Sequence, residues 1–369
     1  MKITRVEAIH LRLPKVAAVA DGTQESLLVR IDTDAGVSGW GEIVSCSYVA
    51  KAVVDAPRSA PFRHGLAAVL IGRDPGDIDE LNKLLRETTA WYGPGGVVGH
   101  AISGVDQAMW DIRGKAAGEP VRRLLMPDSP DEVDCYASVL WPDTPGEVEA
   151  SCNMFIEGGY RAVKYGWGPM GADPGLDEEL VSTARHTLGD DIDLMIDAGR
   201  AWDATTALAR ARTFERYRPR WLEEPLLPDD FGGYCKLASD SPVPIAAGEV
   251  FTLPEEFTRL ADTGVAFVQP DLGRAGGVSG VRKLAQRAPD NVNIVPHAYG
   301  TGILLAASAQ FAVTQPGHLT EYTRSMSPLA RDLVDVDLEF HDGQLHLGDS
   351  PGLGITINED VVQRFRYRE

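Results

Sequence analysis

Short apolar stretches alternate with helical patterns over the last two thirds of the chain. The starts of successive stretches lie about 26 residues apart on average, which suits one strand plus one helix. Eight strands alternating with helices predict a parallel (β/α) barrel, an α/β fold. The predicted strands are residues 133–141, 161–167, 193–199, 220–225, 244–250, 267–272, 293–299 and 318–323.

The first part of the chain follows a different pattern. Residues 2–12 alternate between apolar and polar positions, and residues 26–32 and 37–42 form a predicted hairpin. Helical periodicity follows at 78–90 and 100–117. We therefore expect an α+β capping domain over residues 1–125, a barrel over 126–335, and a last segment, 336–369, that returns to the cap.

Ionisable residues stand at the carboxyl ends of seven successive predicted strands. In barrels of this kind the active site lies at that end. The pattern therefore predicts one site where these side chains converge. In chain order they are Lys164, Asp197, Glu223, Glu249, Asp271, His297 and Glu321.

Three of these residues are acids with equal spacing. The intervals are 223 − 197 = 26 and 249 − 223 = 26 residues. Buried carboxylates that converge in this way repel one another unless a cation lies between them. Oxygen ligands without His or Cys favour Mg²⁺. The alternative is that Asp197, Glu223 and Glu249 are separate strand-end acids that cap helices or form ion pairs.

Composition excludes several other classes of protein. The formal net charge of −19 disfavours nucleic acid and anionic membranes as partners. The four cysteines form no CxxC motif, which is typical of a reducing compartment. The first 15 residues lack the apolar core of a signal peptide, and no stretch reaches the length of a membrane span. We expect a cytoplasmic protein.

Several motifs resemble those of one known family. The motif-like blocks are VSGWGE (37–42), AVK (162–164), MIDAG (195–199), WLEEP (221–225), AAGE (246–249), QPDLGRAGG (269–277) and VPHAYGTG (295–302). Together they resemble the mandelate racemase subgroup of the enolase superfamily, which includes many acid-sugar dehydratases. The resemblance covers essentially the whole chain.

The resemblance implies a modified (β/α)₇β barrel beneath an α+β cap. It implies that Asp197, Glu223 and Glu249 bind one Mg²⁺, and that His297 and Asp271 form the family's His–Asp dyad. Glu321 matches the acidic residue at the end of the last strand and, if protonated or hydrogen-bonded to a substrate oxygen, would assist catalysis at the substrate carboxylate. The implied partner is a small carboxylate substrate, a sugar acid, and family relatives are commonly homo-oligomers, either dimers or octamers.

The chain departs from the family pattern at one informative position. Many relatives carry Lys-x-Lys after the second strand, and the second Lys is a base; here the sequence is Lys164-Tyr165-Gly166. The loss argues against a racemase with two bases. His297 would then remove the α-proton and return a proton to the leaving hydroxyl, a syn dehydration. Lys164 is left to contact the substrate carboxylate or a metal ligand, or to form a structural ion pair.

Three functions therefore remain open from the sequence. The first is an Mg²⁺-dependent dehydratase of an aldonic or aldaric acid, which acts through an enediolate. The second is an isomerase on the same scaffold: a lactone cycloisomerase, an epimerase or a racemase. The third is a metal-dependent binding or scaffold protein without catalysis, in which His297 is an ordinary buried histidine.

Overall fold

A computed structural model describes residues 1–61, 63–289 and 291–368 of the chain. Eight parallel strands form the barrel part of a ten-stranded sheet. These strands come after three N-terminal strands, so they carry the numbers β4 to β11. In chain order the first eleven strands are β1 (Ile3–Arg12), β2 (Glu25–Thr33), β3 (Ser38–Ile43), β4 (Glu132–Leu140), β5 (Ala162–Gly166), β6 (Asp193–Asp197), β7 (Leu222–Glu223), β8 (Ile245–Ala247), β9 (Phe267–Val268), β10 (Asn293–Ile294) and β11 (Leu319–Thr323).

Helices follow the barrel strands as the sequence pattern predicts. The sheet runs in chain order from β4 to β10, and β11 pairs in parallel with β4. The fold is thus the predicted α/β barrel with an N-terminal cap. Its helices are α1 (Ser47–Asp55), α2 (Leu66–Leu70), α3 (Ile78–Thr89), α4 (Val97–Ala117), α5 (Val121–Leu125), α6 (Pro145–Glu157), α7 (Pro174–Leu188), α8 (Ala204–Phe214), α9 (Phe231–Asp240), α10 (Pro254–Asp262), α11 (Gly277–Ala285), α12 (Gly302–Ala312), α13 (Pro328–Arg331) and α14 (Glu359–Phe365).

The cap consists of an antiparallel sheet, β1–β2–β3, and the helices that follow it. The predicted hairpin is present, with Leu28 opposite Glu42. Helix α4 lies against β3 so closely that a Cβ at Gly41 would stand 1.9 Å from the Gly104 carbonyl oxygen. Among the described helices, none has the length and apolar character needed to cross a membrane.

The last residues contact both parts of the molecule. Four short strands precede α14: β12 (Val334–Val336), β13 (Leu338–His341), β14 (Gln344–Leu347) and β15 (Ile355–Ile357). Strand β14 pairs with barrel strand β4, whereas α14 packs on β1 of the cap, and the Tyr367 amide donates to the His10 carbonyl oxygen at 2.8 Å. The division at residues 125 and 335 therefore stays a prediction.

Several barrel strands are shorter than the sequence pattern predicts. Strands β7, β9 and β10 have two residues each, against six or seven predicted. Pro225, Pro270 and Pro296 interrupt the apolar runs beyond them, and proline has no N–H with which to continue a ladder. The residues beyond these strands therefore have irregular backbone, and their polar side chains lie at the barrel mouth.

Glu42 joins the cap to the barrel. Its buried carboxylate accepts hydrogen bonds from the Thr301 amide (3.1 Å), the Thr301 hydroxyl (2.6 Å) and the Leu304 amide (3.3 Å). Ser26 of β2 donates to it from the cap side at 3.1 Å. A carboxylate at this place satisfies amides at the start of α12 that have no partner within the helix.

We expect Glu42→Ala to lower the free energy of unfolding by about 2–3 kcal/mol, since buried amides at the start of α12 lose a charged acceptor. Urea unfolding followed by circular dichroism measures this. Ser26→Ala is the matched control and should cost about 1 kcal/mol, because it removes one neutral donor. Equal midpoints for Glu42→Ala and the wild type would rule out this link between cap and barrel.

Candidate active site

Three predicted metal-binding acids meet at the barrel mouth. Asp197 ends β6, Glu223 ends β7, and Glu249 lies two residues beyond β8. One carboxylate oxygen from each residue lies within 4.8 Å of those of the other two, and all three side chains are buried. The equal spacing in sequence thus brings the three acids to the same end of three adjacent strands.

The electrostatics of the three acids call for a cation. Burial raises the pKa of Asp197 well above its usual range, and the nearby Glu223 carboxylate adds to the effect. Burial likewise raises the pKa of Glu223. A set of buried oxygen donors that destabilise one another as anions fits a divalent metal ion, whose charge would offset their repulsion.

Neighbouring donors hold these carboxylates in place. Glu223 Oε2 accepts hydrogen bonds from Trp221 Nε1 at 2.8 Å and from Gln269 Nε2 at 2.7 Å. The Gly199 amide donates to Asp197 Oδ1 at 2.8 Å. Such outer contacts orient metal ligands. Trp221 also belongs to the packed interior of the barrel, which forms a dry floor beneath the site.

His297 and Asp271 form a hydrogen-bonded pair next to the acids. His297 Nδ1 lies 2.7 Å from Asp271 Oδ2, while the Gly273 amide donates to Asp271 Oδ1 at 2.6 Å. His297 Nε2 lies 3.3 Å from Glu249 Oε2. Asp271 therefore fixes the orientation of the imidazole, and Nε2 is the nitrogen that faces the acids.

The charges around His297 govern its protonation. Burial lowers the pKa of His297, but Glu249, Glu321 and Asp271 together outweigh burial and raise the pKa to about 10. A cation bound by Glu249 would cancel much of that carboxylate's effect and bring the pKa of His297 back toward neutrality. A base that works near pH 7 needs such a value.

Lys164 and Glu321 form a buried ion pair beside the acids. Lys164 Nζ lies 3.0 Å from Glu321 Oε1 and also donates to Glu223 Oε1. The Ala298 amide donates to Glu321 Oε2 at 2.6 Å, which links the segment beyond β10 to β11. Although burial raises the pKa of Glu321, Lys164 and His297 lower it to about 2. Glu321 is therefore an ionised acceptor rather than a protonated donor.

A cavity of about 210 Å³ opens in front of these groups. The barrel contributes Lys164, Asp197, Glu249, His297 and Glu321, so most of the residues predicted from strand ends share one space. Sequence reasoning missed Trp167, Arg274 and Tyr299 as barrel lining residues. Arg274 and Tyr299 lie within the quoted motifs, and Trp167 is the last residue of the predicted strand 161–167; these places were the available signal. The cap contributes Glu25, Ser26, Glu42 and Ser45.

Gly166 lies directly against one of the acids. A Cβ built at this position would stand 2.6 Å from Asp197 Oδ2 and 2.9 Å from Asp197 Cβ. Any side chain here would displace the Asp197 carboxylate from its present position. The close packing of Gly166 on Asp197 therefore leaves no room at this position for the second lysine of the family motif.

We expect Gly166→Ala to weaken Mg²⁺ binding by about tenfold, because the added methyl group displaces one carboxylate of the triad. Isothermal titration calorimetry with Mg²⁺ measures the affinity. Gly146→Ala is the control, since a Cβ at Gly146 would meet no atom within 4 Å. If both variants bound Mg²⁺ like the wild type, the close packing of Gly166 on Asp197 would have no bearing on the metal site.

The fold and the site together define a class of enzyme, a capped (β/α) barrel with three converging acids and a His–Asp pair. Two family models match the chain. The mandelate racemase / muconate lactonizing enzyme N-terminal domain covers residues 2–125, and the enolase C-terminal domain-like model covers residues 147–361. The chain belongs to the mandelate racemase / muconate lactonizing enzyme family of the enolase superfamily.

Individual relatives are similar over nearly their whole length. D-galactonate dehydratase of Pectobacterium atrosepticum is 33% identical, covering 98% of this chain and 94% of the relative. D-galactarolactone cycloisomerase of Agrobacterium fabrum is 31% identical, covering 99% of both chains. The family thus contains dehydratases and cycloisomerases at similar distances from this chain.

Solved structures show the same architecture. The 3,6-anhydro-D-galactonate cycloisomerase of Zobellia galactanivorans superimposes with a TM-score of 0.91 at 28% identity, covering 100% of both chains. A racemase of Streptomyces coelicolor with bound magnesium gives a TM-score of 0.87 at 26% identity, covering 99% of this chain and 100% of the racemase. The predicted fold class is confirmed.

Proposed function

We propose that this protein is an Mg²⁺-dependent dehydratase of an aldonic or aldaric acid. The observation that carries the proposal is the single His–Asp pair beside three buried acids, with Gly166 where many relatives have a second base. Relatives that act on galactonate and the magnesium-bound racemase support the choice of substrate class and metal.

Asp197, Glu223 and Glu249 would hold the metal. Bound Mg²⁺ supplies positive charge that stabilises the extra negative charge developing on the substrate carboxylate when the α-proton leaves. Lys164 offsets part of the negative charge of Glu223 and Glu321, which weakens the repulsion of an acid substrate. Its proposed role is therefore electrostatic, through the groups that it contacts.

His297 performs both proton transfers in this proposal. Nε2 takes the proton from the carbon next to the carboxylate, and Asp271 stabilises the resulting imidazolium. The same Nε2 proton then passes to the hydroxyl group on the adjacent carbon, and water leaves as that C–O bond breaks. The enol that remains tautomerises to a 2-keto acid. Both transfers occur on one face of the substrate, so elimination is syn.

A lactone cycloisomerase is the second candidate. It needs one base, which His297 supplies, and the cycloisomerase relative is nearly as similar to this chain as the dehydratase relative. The two candidates differ in substrate and leaving group. A lactone cycloisomerase opens a ring by breaking the ring C–O bond at the β-carbon and releases no water, although the enol that remains also tautomerises to a keto acid. The kind of substrate that gives the keto acid therefore separates them.

The test is a screen of the purified protein with Mg²⁺ against aldonic and aldaric acids, with semicarbazide to detect keto acid. We expect one acid to give a keto acid. Parallel NMR spectra in D₂O report α-proton exchange and lactone opening. Exchange without keto acid would favour an epimerase, and keto acid formed from a lactone but from no open-chain acid would favour the cycloisomerase. Inactivity toward all acids and lactones despite bound Mg²⁺ would overturn both enzymatic proposals.

A further inference from the structure

An indole ring forms part of the cavity wall next to the missing second base. Trp167 is the first residue after β5 and follows Gly166. Both residues line the cavity together with Asp197. No step of the proposed proton transfers uses Trp167, so its place in the wall has no explanation yet.

The position of this ring is tightly fixed. Trp167 has a φ of 55°, in the left-handed region that a bulky residue seldom adopts. Non-glycine residues persist there only when their surroundings impose the conformation, and they cluster at functional sites. The Arg200 guanidinium carbon lies 4.8 Å from the ring centroid, at a distance typical of a cation–π contact.

Glycine at position 199 makes room for the ring. A Cβ at Gly199 would stand 2.9 Å from Trp167 Cδ2. The backbone of Arg200 is held in place because its amide donates to the Glu224 carbonyl oxygen at 2.7 Å. Residues 199 and 200 thus support the indole from the end of β6.

Trp167 and His297 stand on different sides of the cavity. Strand β5 is the second strand of the barrel and β10 is the seventh, so at least three strand positions separate them around the ring of strands. A sugar acid whose α-carbon faces His297 presents its other side to the β5 wall. That wall offers Gly166 and an indole rather than a base.

We propose that Trp167 binds the polyhydroxyl chain of the substrate by packing its indole against the C–H groups of that chain, on the side away from His297. This inference rests on the proposed sugar-acid substrate. Aliphatic C–H groups of a sugar chain pack well on an aromatic face, and their hydroxyl groups are left to Ser26, Ser45 and Glu25 of the cap, which line the same cavity.

The test compares two acids that differ in the proposed contact. One is the sugar acid with the highest kcat/KM in the screen; the other is glycolate, a 2-hydroxy acid with no chain beyond the hydroxyl-bearing carbon. Binding is measured by calorimetry with Mg²⁺ in a His297→Asn background, where no turnover occurs. We expect Trp167→Ala to weaken sugar-acid binding by about tenfold or more and to leave glycolate binding within about twofold.

Two further variants test the role of the aromatic face and of its support, and a third is the control. Trp167→Phe retains an aromatic face and should recover most of the affinity for the sugar acid. Arg200→Ala removes the support behind the ring and should weaken sugar-acid binding in the same direction. Trp91→Ala, at a cap residue that is 69% exposed and does not line the cavity, is the control for loss of an indole.

Equal weakening of both acids by Trp167→Ala would overturn the inference, because it would show that the ring only supports the metal-binding acids. Unchanged affinity for the sugar acid would overturn it as well. Failure of the wild-type protein to convert any sugar acid is a different result: it would remove the proposed function, and this inference with it.

Discussion

Replacing His297 by asparagine is expected to abolish turnover while leaving the fold and Mg²⁺ binding intact. In the proposed reaction His297 both removes and returns a proton, and a positioned acid or base contributes about 10²–10⁴-fold to a rate. Loss of both roles should lower kcat by at least about 10³-fold. Asparagine keeps a polar side chain that can still hydrogen bond to Asp271.

Steady-state kinetics on the substrate found in the screen, together with Mg²⁺ calorimetry, measure this result. The matched control is His186→Asn, because His186 is an exposed residue of α7 outside the cavity. Near-normal turnover by His297→Asn would refute the assignment of His297 as the base. Loss of Mg²⁺ binding in the same variant would instead assign His297 a role in supporting Glu249.

Replacing Glu249 by glutamine is expected to weaken Mg²⁺ binding by more than about 100-fold. Removal of a residue that only hydrogen bonds to a metal ligand typically lowers the metal affinity about 10–100-fold, so loss of a charged ligand should lower it more. The side-chain volume is unchanged. The variant relieves repulsion among the three acids but also removes the carboxylate that faces His297 Nε2 at 3.3 Å. Because these two effects oppose each other, we expect the stability without metal to stay close to that of the wild type.

Calorimetric titration with Mg²⁺ measures the affinity, and thermal unfolding in EDTA measures the stability. Glu255→Gln, an exposed position in the first turn of α10, makes the same chemical change outside the triad and should have no effect on either quantity. An unchanged Mg²⁺ affinity in Glu249→Gln would exclude Glu249 from the ligand set.

Much of the architecture was accessible from the sequence. Local periodicity separates strands from helices, and the regular distance between apolar stretches predicts a barrel because each strand needs one helix to return. The same spacing places Asp197, Glu223 and Glu249 at equivalent strand ends, where the structure brings them together. Strand ends were harder to predict, because Pro225 and Pro270 shorten ladders within runs that are still apolar.

The sequence by itself determined the fold class and the set of ionisable residues at the barrel mouth, since both follow from repeats that are local along the chain. Only the tertiary structure decided how those groups act on one another. The Lys164 ammonium beside Glu321 lowers the pKa of that acid, and the contact of Glu42 with the start of α12 joins cap to barrel. Lys164 and Glu321 are 157 positions apart along the chain, and Glu42 and Thr301 are 259 positions apart, yet both pairs are in contact. Charge effects depend on distance in space rather than along the chain.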